Sequence, residues 1–210
     1  MKTALKVVGG LVALVVLVVA VMAAGQPDET HVERSVLVAA APADVFPFAN
    51  DFDQWMKWNP WQAMDPDQTV TFSDNRVGPG AWYAWKSDKV GEGKMSIRES
   101  VPNEKVTEEL AFTAPMASVA TVTFSFAPEG DGTRVTWSFD QPNEGMGKVA
   151  GVFMDMDKML GADFERGLDT LKPLAEDAAK ARLAAEEAAA KAAAEAAAAE
   201  ALVEGEPAPE

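Results

Sequence analysis

After Pro142 the apolar residues stop recurring every second position and begin recurring about every 3.6, and this switch narrows what the chain can fold into. Met146, Val149, Phe153, Met156, Leu160, Phe164, Leu168 and Leu171 form one stripe, while Lys148, Asp155, Lys158, Arg166 and Asp169 occupy other faces. The pattern predicts a single helix of roughly 28 residues, about 40 Å long. Ahead of it lie β-rich stretches near 69–74, 80–87, 93–101, 104–113, 118–127 and 132–140. Turn chemistry separates them, as in Val77-Gly78-Pro79-Gly80, Val101-Pro102-Asn103 and Glu129-Gly130-Asp131-Gly132. A first strand is expected at 31–38. Pro42 then opens a short helix, and a second runs from Asp53 to Trp58, stopped by Asn59-Pro60. Connections this short predict an antiparallel meander. One helix cannot bury both ends of a wide flat sheet, so the sheet must curl around it. The expected class is α+β: a curved antiparallel sheet of about seven strands around a long C-terminal helix.

Both ends differ in composition from this unit. Lys2 and Lys6 precede an apolar run from Val7 to Ala24, broken only by Gly9 and Gly10, and Asp28 and Glu29 follow. At 1.5 Å per residue the run spans about 27 Å, close to the roughly 30 Å hydrocarbon core of a bilayer. Residues 1–25 therefore read as a membrane signal anchor. A cleaved signal peptide is the alternative, because Val21-Met22-Ala23 offers a small-residue cleavage pattern. With the lysines before the span, the N-terminus is expected in the cytoplasm. That predicts a single-pass protein of a bacterial inner membrane, its domain on the periplasmic side. Residues 26–30 read as a linker and 31–175 as the domain. From 178 to 201, 16 of 24 residues are Ala, and Glu176–Lys180 and Glu187–Lys191 are favourable i,i+4 pairs. Residues 176–203 are thus expected as a helical extension and 204–210, with Gly205, Pro207 and Pro209, as a disordered tail. No heptad is sustained, so the extension is either a solvated spacer or an arm for another envelope protein.

Composition removes several functions. With no cysteine and a single histidine, disulfide frameworks, thiolate zinc sites, cysteine nucleophiles and multi-histidine metal sites are all excluded. A formal net charge of −15 disfavours nucleic acid as a partner. Gly91-x-Gly93 reads as a turn and not a nucleotide loop, since no helix follows it. No cofactor is implied.

In its order of segments the chain resembles the SRPBCC superfamily, the START and birch-pollen-allergen-like helix-grip proteins. Within it, the chain is similar to the group described as polyketide cyclase/dehydrase and lipid transport. The resemblance covers about residues 31–175. It rests on Val32-Glu33-Arg34-Ser35-Val36, Ala41-Pro42-Ala43-Asp44-Val45-Phe46, Trp55-Met56-Lys57-Trp58-Asn59-Pro60-Trp61 and Val77-Gly78-Pro79-Gly80-Ala81. It continues in Gly91-Glu92-Gly93-Lys94-Met95-Ser96-Ile97, Asp131-Gly132-Thr133-Arg134-Val135-Thr136-Trp137 and the terminal helix. The resemblance implies a deep apolar cavity between sheet and helix. It does not imply one activity, because such proteins carry lipids, bind hormones, cyclise polyketides or support chaperones.

A cavity of that kind would be lined by large, adaptable apolar side chains. The candidates are Trp55, Trp58, Trp61, Trp82, Met95, Phe112, Met116, Phe124, Trp137, Phe153, Met156 and Leu160. The competing reading is that the tryptophans plug one end of the cavity and lock the short helices to the sheet. Trp82 and Trp85 are three apart on one strand, so only one should point inward. Carboxylates are the available acid/base material: Glu108 shares parity with Val106, Leu110 and Phe112, Asp157 borders the helix stripe, and Arg98 or Glu99 could face inward. The expected function is binding of a hydrophobic small molecule or lipid by an anchored, exported domain. The alternatives are a cyclase- or hydrolase-like enzyme using a cavity carboxylate, and an envelope scaffold acting through its C-terminal helix.

Overall fold

The computed structural model describes residues 2–204. An apolar helix α1 (Lys2–Ala24) leads into strand β1 (Glu29–Val38). Four short helices follow: α2 (Pro42–Val45), α3 (Pro47–Asn50), α4 (Phe52–Trp55) and α5 (Pro60–Met64). Then come strands β2 (Thr69–Phe72), β3 (Trp82–Ser87), β4 (Gly91–Val101), β5 (Lys105–Ala114), β6 (Ser118–Glu129) and β7 (Gly132–Pro142). Helices α6 (Met146–Phe153) and α7 (Met156–Glu204) complete the described chain.

Each β-rich stretch anticipated from alternation forms a strand, and together they make a curved seven-stranded antiparallel sheet in the order β1-β7-β6-β5-β4-β3-β2. Short turns give the meander from β2 to β7, and β1 closes the far edge by pairing with β7 in the register Val32↔Phe139 and Val36↔Val135. Alternation decides the inner face: Val106, Glu108 and Leu110 on β5, Ala120, Val122, Phe124 and Phe126 on β6, and Val135, Trp137 and Phe139 on β7 are buried. Helix α7 packs on β1, α2 and α5. Its buried stripe is Phe164, Leu168, Leu171, Ala175 and Ala179, at helical spacing.

Three expectations change. Where two short helices were expected, there are four, because Pro47 and Pro60 each start a new helix and the Asp51 and Asn59 side chains cap the third and fourth. The single helix expected after Pro142 is two: Met154 is extended, and the Asp155 carboxylate accepts from the Lys158 backbone N–H at 3.2 Å, restarting the helix as an N-cap. Residues 176–203 do not begin a separate element either. α7 runs through Pro173 as one helix of 49 residues. It stays docked past the expected boundary, with Glu176 accepting from the Ala39 N–H at 3.0 Å and Arg182 reaching Asp44 at 2.6 Å. Beyond Arg182 its side chains are exposed as far as residue 198. Most of the tail expected at 204–210 lies outside the described residues.

Candidate functional site

One side of the grip is filled with aromatic rings. Trp55, the last residue of α4, and Trp58, in the turn after it, meet edge to face at 4.5 Å, and both lie against Phe124 and Trp137. Trp137 stacks on Phe164 of α7 at 3.9 Å with the planes 11° apart. Their polar atoms are mostly used: Trp58 Nε1 donates to the Phe48 carbonyl at 2.9 Å, and Trp55 Nε1 donates to the Tyr83 hydroxyl at 3.1 Å. Gly167 allows this closeness, because a Cβ there would lie 2.9 Å from the Trp137 ring.

Toward the other end the side chains no longer fill the interior, and a cavity of about 530 Å³ opens between the sheet, α6 and the start of α7. That volume falls within the usual range of small-molecule sites. Its wall is mainly apolar: Trp61, Tyr83, Trp85, Met95, Leu110, Phe112, Met116, Val122, Trp137, Phe139, Met154, Met156, Leu160 and Phe164. Asn59, Gln68, Ser118, Gln141, Asn143 and Thr30 add a few polar groups. Trp85 reaches the wall because Gly93 on the neighbouring strand has no side chain; a Cβ there would sit 2.6 Å from the indole ring. Gly93 is therefore a strand residue at a register shift and not part of a turn.

Of the residues named from sequence, Trp61, Met95, Phe112, Met116, Trp137, Met156 and Leu160 line this cavity. Trp55, Trp58 and Phe124 do not; each is buried in the filled end, where Trp55 and Trp58 hold the short helices to the sheet. Trp82 points to the outer face and lies under Lys94, whose Nζ is 4.5 Å from the ring centroid. Trp85 takes the inward place. The sequence carried a signal for this choice, since Trp82 shares parity with Ala84 and Lys86 and leaves Tyr83 and Trp85 together on the apolar side. Phe153 is 71% exposed and falls outside the wall, because the break at Met154 turns α6 away from the line of α7. The parts missed from sequence include Tyr83, Trp85, Val122 and Phe139, together with Gly147, Ala150 and Gly151 of α6. Small residues carry no apolar signal, so the α6 wall was not legible.

The carboxylates divide sharply. Glu108 is 2% exposed, and its Oε2 has no hydrogen-bond partner. Burial pushes its pKa up to about 8, so the carboxyl is mostly protonated at neutral pH. It sits between Val106, in the filled end, and Leu110, at the cavity wall, and pairs across the sheet with Ile97 and Val122. Burial likewise pushes the Tyr83 hydroxyl up, keeping it neutral. Asp157 is a surface group: Arg34 binds it at 2.9 Å, and that hydrogen bond holds its carboxyl below the ordinary value. Arg98 and Glu99 both face outward across a bulge after Ile97, pairing with Glu109 and Lys105. His31 lies on the exterior, 2.5 Å from Asp140. Among the described residues no cluster of three or more His, Cys, Asp or Glu side chains could hold a metal ion.

The same architecture occurs in solved proteins of low sequence identity. The Mll3558 protein from Rhizobium loti is 21% identical, with a TM-score of 0.52 over 69% of this chain and 96% of that one. CV1439 from Chromobacterium violaceum is 16% identical, with a TM-score of 0.51 over 72% of this chain and 99% of that one. At such identities the likeness speaks for the fold alone. No curated protein matches the chain. A family model described as polyketide cyclase/dehydrase and lipid transport matches residues 29–176, from the first strand to the docked part of α7. The chain thus belongs to the polyketide cyclase/dehydrase and lipid transport family, within the SRPBCC superfamily.

Proposed function

We propose that this protein is a membrane-anchored, exported domain that binds a hydrophobic small molecule or a lipid tail. The observation that carries the reading is the cavity itself: about 530 Å³, walled by aromatic and methionine side chains, with only scattered polar groups. Affinity would come from removing apolar surface from water, at about 25 cal/mol per Å², and methionines would let the wall adapt to more than one shape. The anchor is α1, whose Lys6–Ala24 segment has a mean hydropathy of 3.0 and is long enough to cross a bilayer. Lys2 and Lys6, ahead of the apolar run that starts at Val7, favour an orientation with the domain on the periplasmic side of an inner membrane.

The cyclase-like alternative depends on Glu108, the one carboxylate on the inner face that is both buried and unpartnered among the described residues. Glu108 lies behind the cavity wall and not in it. Proton transfer needs hydrogen-bond reach to the reacting atom, so binding is the stronger reading.

Native mass spectrometry of the full chain, purified in mild detergent, tests it against Leu160→Trp, which fills the cavity from α7. The expected result is a reproducible apolar mass on the wild type that is lost in a variant with an unchanged melt. A wild type that carries no such mass and takes up no apolar dye would overturn the reading.

A further inference from the structure

Helix α6, the piece between the sheet and the long helix, has an unusual surface for a packed element. None of its residues is buried. Met146 and Phe153, seven positions apart and so on one face, are 67% and 71% exposed. Met154 and Met159, beyond its end, are 44% and 52% exposed. Another part of α6, Gly147, Ala150 and Gly151, forms cavity wall. Across the opening, the β5–β6 turn presents Met116, which also lines the cavity and is 55% exposed.

This surface is joined to the end of the apolar helix. α1 packs against α6, and Ala23 in its last turn is the one α1 residue buried among those described. Lys148 Nζ meets Asp28 at 2.5 Å, the Asn143 backbone N–H donates to the Asp28 carbonyl at 2.8 Å, and a Cβ on Gly151 would lie 3.2 Å from Gln26 Oε1. If Lys6–Ala24 spans a bilayer, its last turn lies where hydrocarbon gives way to headgroups. α6 is then held at that depth by contacts within the chain.

We propose that α6 is an interfacial helix, with Met146 and Phe153 set into the headgroup–acyl boundary, so that the cavity opens directly onto the bilayer holding α1. The inference rests on the reading of α1 as a membrane span. The occupant of the apolar face is a lipid surface because the face is continuous with the span. Insertion is apolar in origin: Lys148, the one basic residue of α6, is committed to Asp28, and Glu144, Asp155 and Asp157 surround the helix. Zwitterionic lipid is therefore sufficient, and salt has little effect. A ligand would pass between bilayer and cavity past α6 without crossing water.

The absence of cysteine makes the test direct. Single nitroxides are placed on Val15→Cys, Phe153→Cys and Glu187→Cys of the full chain in phosphatidylcholine vesicles, and relaxation by oxygen and by a water-soluble nickel chelate is compared. Met146→Cys serves as a second α6 position, and each variant is checked for an unchanged melt. The expected result is that positions 153 and 146 lose most of the chelate relaxation seen at 187 while gaining oxygen relaxation, with position 15 deeper still. A lipid-protected 15 with 153 and 146 as open to chelate as 187 overturns this proposal and leaves the anchor intact. A position 15 open to chelate overturns the anchor and this proposal together. Strong spin–spin broadening between copies at 153, relieved by dilution with unlabelled protein, assigns the face to a second copy and also overturns it.

Discussion

The two ends of the grip are built from the same alternating strands and covered by the same C-terminal helical segment, yet one is solid and the other hollow. At the solid end, flat rings from three regions interlock: Trp55 from α4 and Trp58 from the turn after it, Phe124 and Trp137 from the sheet, and Phe164 from α7. At the hollow end the sheet still presents large side chains, but the facing residues are Gly147, Ala150 and Gly151, and the covering helix is broken. Space is left because the helix supplies too little volume, not because the sheet lacks apolar surface. Glu108 stands at the boundary. A filled core has no room for a water to solvate it, and the cavity wall shields it from the other side.

The largest effect should come from the solid end. Trp58→Ala removes a ring that is 2% exposed and leaves the Phe48 carbonyl without its donor, so a loss of about 3–5 kcal/mol in urea unfolding is expected. Leu160→Ala at the hollow end should cost far less, and equal costs would erase the contrast between the ends.

The next concerns Glu108. Its pKa is raised in the folded state, so the native protein holds a proton that the unfolded chain releases above its ordinary value near 4.5. Stability from this group is full below about pH 4.5, falls as pH rises, and levels off above about 8. Between pH 5 and 8 the wild type should lose roughly 3–4 kcal/mol relative to Glu108→Gln, since each unit is worth about 1.36 kcal/mol. Parallel pH–stability curves for the two proteins would show that Glu108 is solvated and that the boundary is wet.

The smallest effect is expected where α7 leaves the domain. Asp44 is well buried and Arg182, half exposed, is its two-point hydrogen-bond donor, so Arg182→Ala should cost about 1–2 kcal/mol. Its signature is local: amide exchange should rise around residues 176–182 without a change in the core. Unaltered exchange there would mean that Ala175 and Ala179 alone hold the helix.

Much of this was readable without coordinates. The strand positions, the antiparallel order and the apolar N-terminal helix follow from local spacing and turn residues, and those signals survive folding because they are properties of neighbouring residues. The Asp155 cap that divides α6 from α7 is also local, but a continuous apolar stripe masked it. The cavity was legible only in part. Trp61, Met95 and Leu160 belong to the apolar pattern, but so do Trp55 and Phe124, and pattern alone does not separate a wall from a filling.

Sequence by itself determined the period of each segment, the parity of each strand and the excess of acid over base. Strand parity already favoured Trp85 over Trp82, but only the tertiary structure decided that its ring has room to reach the cavity, because that depends on Gly93 vacating the neighbouring strand. It alone decided that Glu108 lacks a partner and that α6 is joined to the end of α1. The physical reason is common to all three. Parity and period are set along the chain, whereas empty volume, desolvation and exposure are set by what the rest of the chain brings, or fails to bring, to the other side.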